Sequence, residues 1–199
     1  MVITVAHTKG GVGKSTLAWN LAYSFLELNK RVLIVDLDFQ QTLYFTNAIS
    51  EDDSMRVVQP QSVKELMELL LKDESADIYI VDVGGFDSDI NRTAMEFAHK
   101  VIVPVSDSLT EVLGLETFKG ILDTLILDAE INIVLNNIHP LTKNFNVIRE
   151  AVGDKYKLLN TVIRCRRIYK TCMGLGRSVF DYREGIATKE IRGLRDELI

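Results

Sequence analysis

The sequence predicts an α/β protein: a mostly parallel, twisted β-sheet with helices on both faces, in a single domain spanning residues 1–199. Three observations carry this. Short β-branched runs alternate with longer amphipathic segments, the pattern of repeated βαβ units. The runs are apolar nearly throughout, as strands covered on both faces are. No internal repeat, low-complexity tract or long linker interrupts the alternation.

The first strand is Val2-Ile3-Thr4-Val5-Ala6, and a glycine-rich loop follows it. Leu17, Ala18, Leu21, Ala22, Phe25 and Leu28 then recur at helical spacing, so residues Ser15 to Asn29 read as a helix laid on the sheet. The second strand is Val32 to Val35; Val63, Leu66, Met67 and Leu70 mark a helix from Val63 to Lys72. Ile78 to Val83, Val101 to Val105 and Ile131 to Leu135 are further strands, with helices expected at Ile90–Phe97, Glu111–Leu127 and Val147–Lys155. A sixth strand is expected near Leu158–Ile163 and a last helix over Thr188–Leu198. Ser50–Ser54 and His139–Asn144 are turn-like but too short to act as interdomain linkers.

Composition narrows the class. With 47% hydrophobic and 26% charged residues, 3 Pro and 12 Gly, the chain can bury a sizeable core and is neither disordered nor collagen-like. No apolar stretch approaches the roughly 18 residues that cross a bilayer, and Met1 leads into a strand without a signal-peptide pattern, so a cytoplasmic location is expected. Cys165 and Cys172 fit neither a CxxC pair nor a four-ligand metal framework and read as buried thiols. His7, His99 and His139 share no ligating spacing and read as structural. A net charge of -5 means that any polyanion contact is local.

The loop His7-Thr8-Lys9-Gly10-Gly11-Val12-Gly13-Lys14-Ser15-Thr16 joins the first strand to a helix start. Glycines let successive N–H groups curl around an anion, and the helix N-terminus adds unpaired donors and its positive dipole end. Lys14 can then reach β- and γ-phosphates, and the Ser15 hydroxyl can hold a Mg²⁺ bridging them. The strict GxxxxGK[ST] spelling is not met, because Thr8 stands where its first glycine belongs. Lys9 alone is either part of this chemistry or a solvated charge.

The second strand ends in Val35-Asp36-Leu37-Asp38-Phe39-Gln40-Gln41, and period-two alternation puts Asp36 and Asp38 on one side. Strand carboxyl ends of an open parallel sheet line the ligand crevice, so one carboxylate can position Mg²⁺ while the other orients or deprotonates a water. The strand ending at Asp82, before Val83-Gly84-Gly85, supplies a third acid suited to outer-sphere contact with Mg²⁺. Asn136 and Asn137 end a later strand, where they can read an adenine edge or form a turn. Finally, Arg164, Arg166, Arg167, Lys170 and Arg177 place five positive charges in a stretch without Asp or Glu, either a solvated face or a patch for phosphates.

The string from Lys9 to Thr16, KGGVGKST, resembles the deviant Walker A motif of the ParA/MinD family, in which the early lysine is the signature. VDLDFQQ is similar to that family's VDxDPQ segment, with Phe39 in place of the proline. Residues 161–180 resemble the late ParA-type pattern T-x-IR-x-R-x-x-Y…G-x-x-V. The likeness implies a P-loop ATPase of about this length in which Asp38 is the hydrolytic carboxylate, Asp36 joins Ser15 and Asp82 at Mg²⁺, and Asn136 contacts adenine. It further implies that Lys9 reaches the nucleotide of a facing subunit in an ATP-bound homodimer, and that the basic segment binds double-stranded DNA without sequence preference. A ParB-like centromere-binding adaptor that stimulates hydrolysis, a place on the nucleoid, and no helix-turn-helix before Val2 complete the implied partition function.

Two other readings compete. A MinD-like membrane-cycling ATPase needs a terminal amphipathic helix, and Ile191, Leu194 and Leu198 do form a stripe beside Lys189, Arg192 and Arg195. That stripe is narrow and flanked by Glu190, Asp196 and Glu197, so packing on the core, with no membrane contact, is expected. A small-molecule P-loop kinase or ligase needs no ATP-driven dimer. A scaffold that binds ATP without turnover is disfavoured by Asp38.

Overall fold

A computed structural model describes residues 1–183 and 185–199. In chain order the elements are β1 (Val2–Val5), α1 (Lys14–Leu26), β2 (Val32–Leu37), α2 (Thr42–Ala48), β3 (Arg56–Val58), α3 (Val63–Lys72), β4 (Ile78–Val83) and α4 (Asp89–Glu96). There follow β5 (Lys100–Val105), α5 (Leu109–Leu122), β6 (Glu130–Ile138), α6 (Asn146–Val152), β7 (Lys157–Arg164), α7 (Arg167–Met173), a 3-10 turn (Val179–Asp181) and α8 (Ile186–Leu198). The strands form one seven-stranded sheet in the order β3-β2-β4-β1-β5-β6-β7, and every pairing is parallel.

Both faces are covered, which is why the strands read as continuous apolar runs. On one face Ile3, Val5, Ile34, Ile80, Ile102 and Val134 pack against α1, α7 and α8, with Trp19, Phe25 and Leu194 among the buried side chains. On the other, alternate residues of the same strands, Leu33, Val35, Val81, Val101 and Ile133, meet Leu66, Ala94, Leu115 and Ile148 of α3 to α6. β1 lies between β4 and β5, and α1 and α5 leave for opposite faces. The loops after these strands therefore diverge and open a crevice at the carboxyl ends.

Several boundaries differ from the sequence expectation. α1 stops at Leu26, not Asn29, because Asn29 turns left-handed (φ 56) while its N–H and that of Lys30 close on Leu26 and Phe25. α5 starts at Leu109 and ends at Leu122, its first turn set by the Ser108 hydroxyl accepting from the Glu111 N–H. α2, the three-residue edge strand β3 and α7 have no counterpart in the expected list, and α7 begins inside the basic segment.

α8 covers the β7 edge. Glu197 accepts from the N–H groups of Asn160 (2.8 Å) and Thr161 (2.7 Å), and Glu190 from that of Arg164 (3.3 Å), so the exposed ladder donors are satisfied by side chains one heptad apart. Its stripe of Ile191, Leu194 and Leu198 is buried. No helix among the described residues is long and apolar enough to cross a membrane.

Candidate functional site

β1 delivers the glycine loop to the crevice, and α1 starts where the loop ends. Gly11 (φ 81) and Gly13 (φ 90) take left-handed backbone, which turns successive N–H groups to one side. Gly13 is also pressed against a side chain: a Cβ there would sit 2.6 Å from the Asn136 amide nitrogen. α3, α4 and α5 each have a serine cap, Ser62, Ser88 and Ser108, and an acid in the first turn. α1 has neither, so its first-turn N–H groups and dipole end stay available to an anion.

Lys14 is 6% exposed, and its Nζ donates to the Lys9 carbonyl at 3.3 Å. Burial lowers its pKa, and the neighbouring charges of Asp82 and Asp38 oppose that shift. Lys9 lies along α5, its Nζ donating to the Thr110 hydroxyl at 3.0 Å. The Lys9 N–H donates to Nδ1 of the buried His7 at 3.0 Å. His7 is stacked on Phe118, with ring centroids 5.4 Å apart and planes at 14°.

The carboxylates converge from β2 and β4, where Asp36 and Asp82 stand opposite each other in register. Their environments diverge. Asp36 Oδ2 accepts from the N–H groups of Leu43 and Tyr44, each at 3.0 Å, and Oδ1 from that of Asp38 at 3.1 Å. Asp36 thus caps α2 from outside that helix. Burial raises its pKa and the three N–H bonds act the other way. Asp38, partly exposed just past β2, accepts from the Gln40 N–H at 2.9 Å and lines the cleft.

Asp82 is fully buried, and neither oxygen has a hydrogen-bond partner. Burial pushes its carboxyl up to about 8; Asp36 and Asp38 push the same way, while nearby Ser15 and Lys14 pull it down. A buried, unpartnered carboxylate is costly unless a cation meets it. Mg²⁺ fits here: Ser15 and Asp82 could hold it.

The cleft above the loop encloses about 660 Å³. Gly10 to Leu17 form one wall and Asp38, Phe39, Gly85 and Phe86 the rim. The far wall is the surprise: Ile163 to Arg166, Tyr169 and Lys170, the basic segment itself, together with Ile191 of α8. Of the residues singled out in the sequence, Gly10, Gly11, Gly13, Lys14, Ser15, Thr16, Asp38, Asn136, Arg164, Arg166 and Lys170 line this one space. Val12 is buried beneath the loop, the Lys9 carbonyl holds Lys14 Nζ, and Asp82 lies near enough to act on the Lys14 charge.

Three expectations need correction. The Asn136 amide donates one N–H to the Val12 carbonyl at 2.7 Å and so braces the glycine loop from below, while the residue still lines the cleft. Asn136 is also inside β6, not beyond its end. Cys165 is exposed on the cleft wall; only Cys172 is a buried thiol, its pKa raised by burial to about 11. The five basic residues do not form one solvated patch. Arg164 donates to the His139 and Thr142 carbonyls, and Arg166 pairs with Glu190 at 2.6 Å. Arg177 has only a loose 3.8 Å contact with Glu51, and Arg167 and Lys170 point from α7 to solvent. His7, His99 and His139 accept from the N–H groups of Lys9, Val2 and Leu141.

A protein-family profile described as an AAA domain matches residues 1–82, the stretch from β1 through Asp82. The chromosome-partitioning ATPase Soj of Thermus thermophilus is 31% identical over 153 residues, covering 62% of this chain and 60% of that protein. The chain is similar in sequence to partition ATPases of the ParA/MinD type and shares their fold. It spans 60% to 64% of the length of the first curated relatives it matches. MinD of Aquifex aeolicus has the same fold, with a TM-score of 0.79 at 18% identity over 99% of this chain and 96% of that one. A putative plasmid partition protein of Borrelia burgdorferi, solved with AMPPNP bound, has a TM-score of 0.70 at 21% identity over 99% and 98%.

The sequence does not single out Phe86, Tyr169 and Ile191 as cleft residues, nor Thr110 as the partner of Lys9, whereas Gly85, beside the third acid, does line the cleft. Tyr169 is legible in the late motif, but there it stands among the expected DNA contacts. Thr110 carries no signal, since only the return of α5 beside the loop brings a residue 101 positions away to Lys9.

Proposed function

We propose that this chain is an ATP-dependent DNA-partition switch. ATP and Mg²⁺ bind in the cleft, two copies close face to face over their nucleotides, and the dimer holds double-stranded DNA without sequence preference. Hydrolysis to ADP and phosphate resets the cycle, stimulated by a ParB-like adaptor on the cargo. The protein would then act in the cytoplasm on the nucleoid, through a single domain spanning residues 1–199.

The observation that supports this reading is the shared wall: the P-loop and the start of α7 bound one cleft, so a nucleotide in it would lie against the basic segment. In this reading the glycine-loop N–H groups and Lys14 hold the phosphates. Ser15 and Asp82 hold Mg²⁺, with Asp36 adding its charge and fixing α2. Mg²⁺ held by those residues would supply neutralisation of the phosphate charge. Asp38 orients the attacking water and accepts its proton. Lys9 crosses to the facing nucleotide, where a cation supplied in trans stabilises the developing charge. Arg167, Lys170 and Arg177 contact DNA phosphates, and Arg164 and Arg166, held by their own partners, fix the segment behind them. A lipid-surface role would want an exposed amphipathic helix, and the apolar stripe of α8 is buried in the core.

The test is solution mass and retention on mixed-sequence DNA, each measured with ATP, ADP and no nucleotide. Dimer and DNA binding are expected with ATP alone, and Asp38→Ala should make both persist. A chain that stays monomeric with ATP, or binds DNA equally in all three conditions, overturns the switch.

A further inference from the structure

His7 is the one buried titratable side chain beside the glycine loop that the reaction does not use. It is 1% exposed, and its Nε2 is buried without a hydrogen-bond partner. Phe118 of α5 stacks on it, and Gly114 lies so close that a Cβ there would be 3.3 Å from His7 Cε1 and 3.5 Å from Lys9 Cδ. Nδ1 accepts the Lys9 N–H, so the neutral ring carries its proton on Nε2, and the residue lines a small cavity with Gly84, Phe86 and Asn91. From the other side Gly85 crowds the same stretch: a Cβ there would be 3.2 Å from the Thr8 carbonyl oxygen and 3.5 Å from the Gly10 nitrogen. The backbone of residues 8–10 is therefore clamped between α5 and the loop after β4, and His7 supplies the side-chain hydrogen bond that fixes where Lys9 leaves it.

We propose that His7 is the positioning residue for Lys9, and that its Nδ1, as acceptor of the Lys9 N–H, sets the direction from which that lysine reaches the facing subunit. The inference deepens the proposed function and rests on its role for Lys9. A glycine-rich loop has little side-chain packing to hold its course, and the lysine must find a target across an interface. An acceptor two residues upstream restrains the backbone without occupying the phosphate cradle. This role predicts a split: the bond matters for what Lys9 does and little for the grip on the nucleotide, which the α1 N-terminus and Lys14 provide.

Two variants separate hydrogen bonding from packing. His7→Phe keeps a ring to stack on Phe118 and has no acceptor. His7→Asn gives up the ring but offers Oδ1 near the place of Nδ1, in the turn that asparagine readily makes with the N–H two residues on. Exchange of the Lys9 amide hydrogen, followed by NMR in the nucleotide-free protein, should be about fivefold or more faster in His7→Phe and near parental in His7→Asn. The ATP concentration for half-maximal dimer should rise about fivefold in His7→Phe and recover in His7→Asn, with ADP affinity within twofold throughout. Parental Lys9 exchange and dimerisation in His7→Phe would overturn the proposal, as would His7→Asn behaving no better than His7→Phe. If the parent makes no dimer with ATP, the partition reading fails by itself, and Lys9 exchange in the two variants still decides whether His7 holds it.

Discussion

Among single side chains, Asp82 sets the energetics of the cleft. Its carboxyl is fully buried without a partner, and its pKa of about 8 in the fold compares with 3.8 for the unperturbed group. Through the interval between those values the folded chain keeps a proton that the unfolded chain has lost, so stability falls as pH rises and the loss is complete above the folded pKa. Asp82→Asn removes that titration with nearly the same shape. In metal-free, nucleotide-free protein the variant should match the parent near pH 4 and exceed it by about 2 kcal/mol or more at pH 8, read from denaturant midpoints. A difference that does not change with pH would mean an ordinary carboxylate. The same variant should lose the stabilisation that Mg²⁺ with nucleotide gives the parent.

At the scale of elements, α2 is pinned at both ends. Asp36 caps its start from β2, and its exit is wedged against the segment after α7, where a Cβ on Gly176 would fall 2.6 Å from both the Ser50 Cα and the Ser50 nitrogen. The wedge is backbone on backbone, and Gly176 sits at φ 66, so Gly176→Ala has no side chain to displace and no relaxed conformation to adopt. It should cost about 2 kcal/mol or more in equilibrium unfolding. Gly120, in α5 with open space around it, is the control: Gly120→Ala should be neutral or stabilising by up to about 1 kcal/mol. Equal effects at the two sites would argue against a rigid contact between α2 and the α7 segment. That contact matters because it links the Asp36–Asp38 strand end to the basic wall of the cleft.

For the whole molecule, the question is where a chain of net charge -5 can hold a polyanion. Arg166 is taken by Glu190, which also accepts from the Tyr169 hydroxyl and the Arg164 N–H, so Arg166→Ala should chiefly lower stability. Arg167 and Lys170 are one helical turn apart on α7 and exposed. Replacing both with alanine should weaken ATP-dependent DNA binding equally for all sequences and reduce the slope of log K against log salt by about 1.8. Parental binding and slope in that double variant would place the DNA contacts elsewhere.

Much of this was legible in the order of residues, because the signals are local. A period of two or 3.6 declares a covered strand or a helix face within a few residues, and the glycine loop, Lys14 and Ser15 stand beside the strand that delivers them. α3, α4 and α5 announce themselves through serine caps three residues from their targets. α2 and α7, two turns each, have too few residues to show a periodic face, and the cap of α2 lies six positions upstream in another element. Only the closed fold could decide that Asn136 braces the loop, that Arg166 is paired, that Cys165 lines the cleft and that Thr110 receives Lys9. Composition along a chain fixes which groups are present, whereas their partners depend on which strands become neighbours, and β1, β4 and β5 meet only when the sheet has formed.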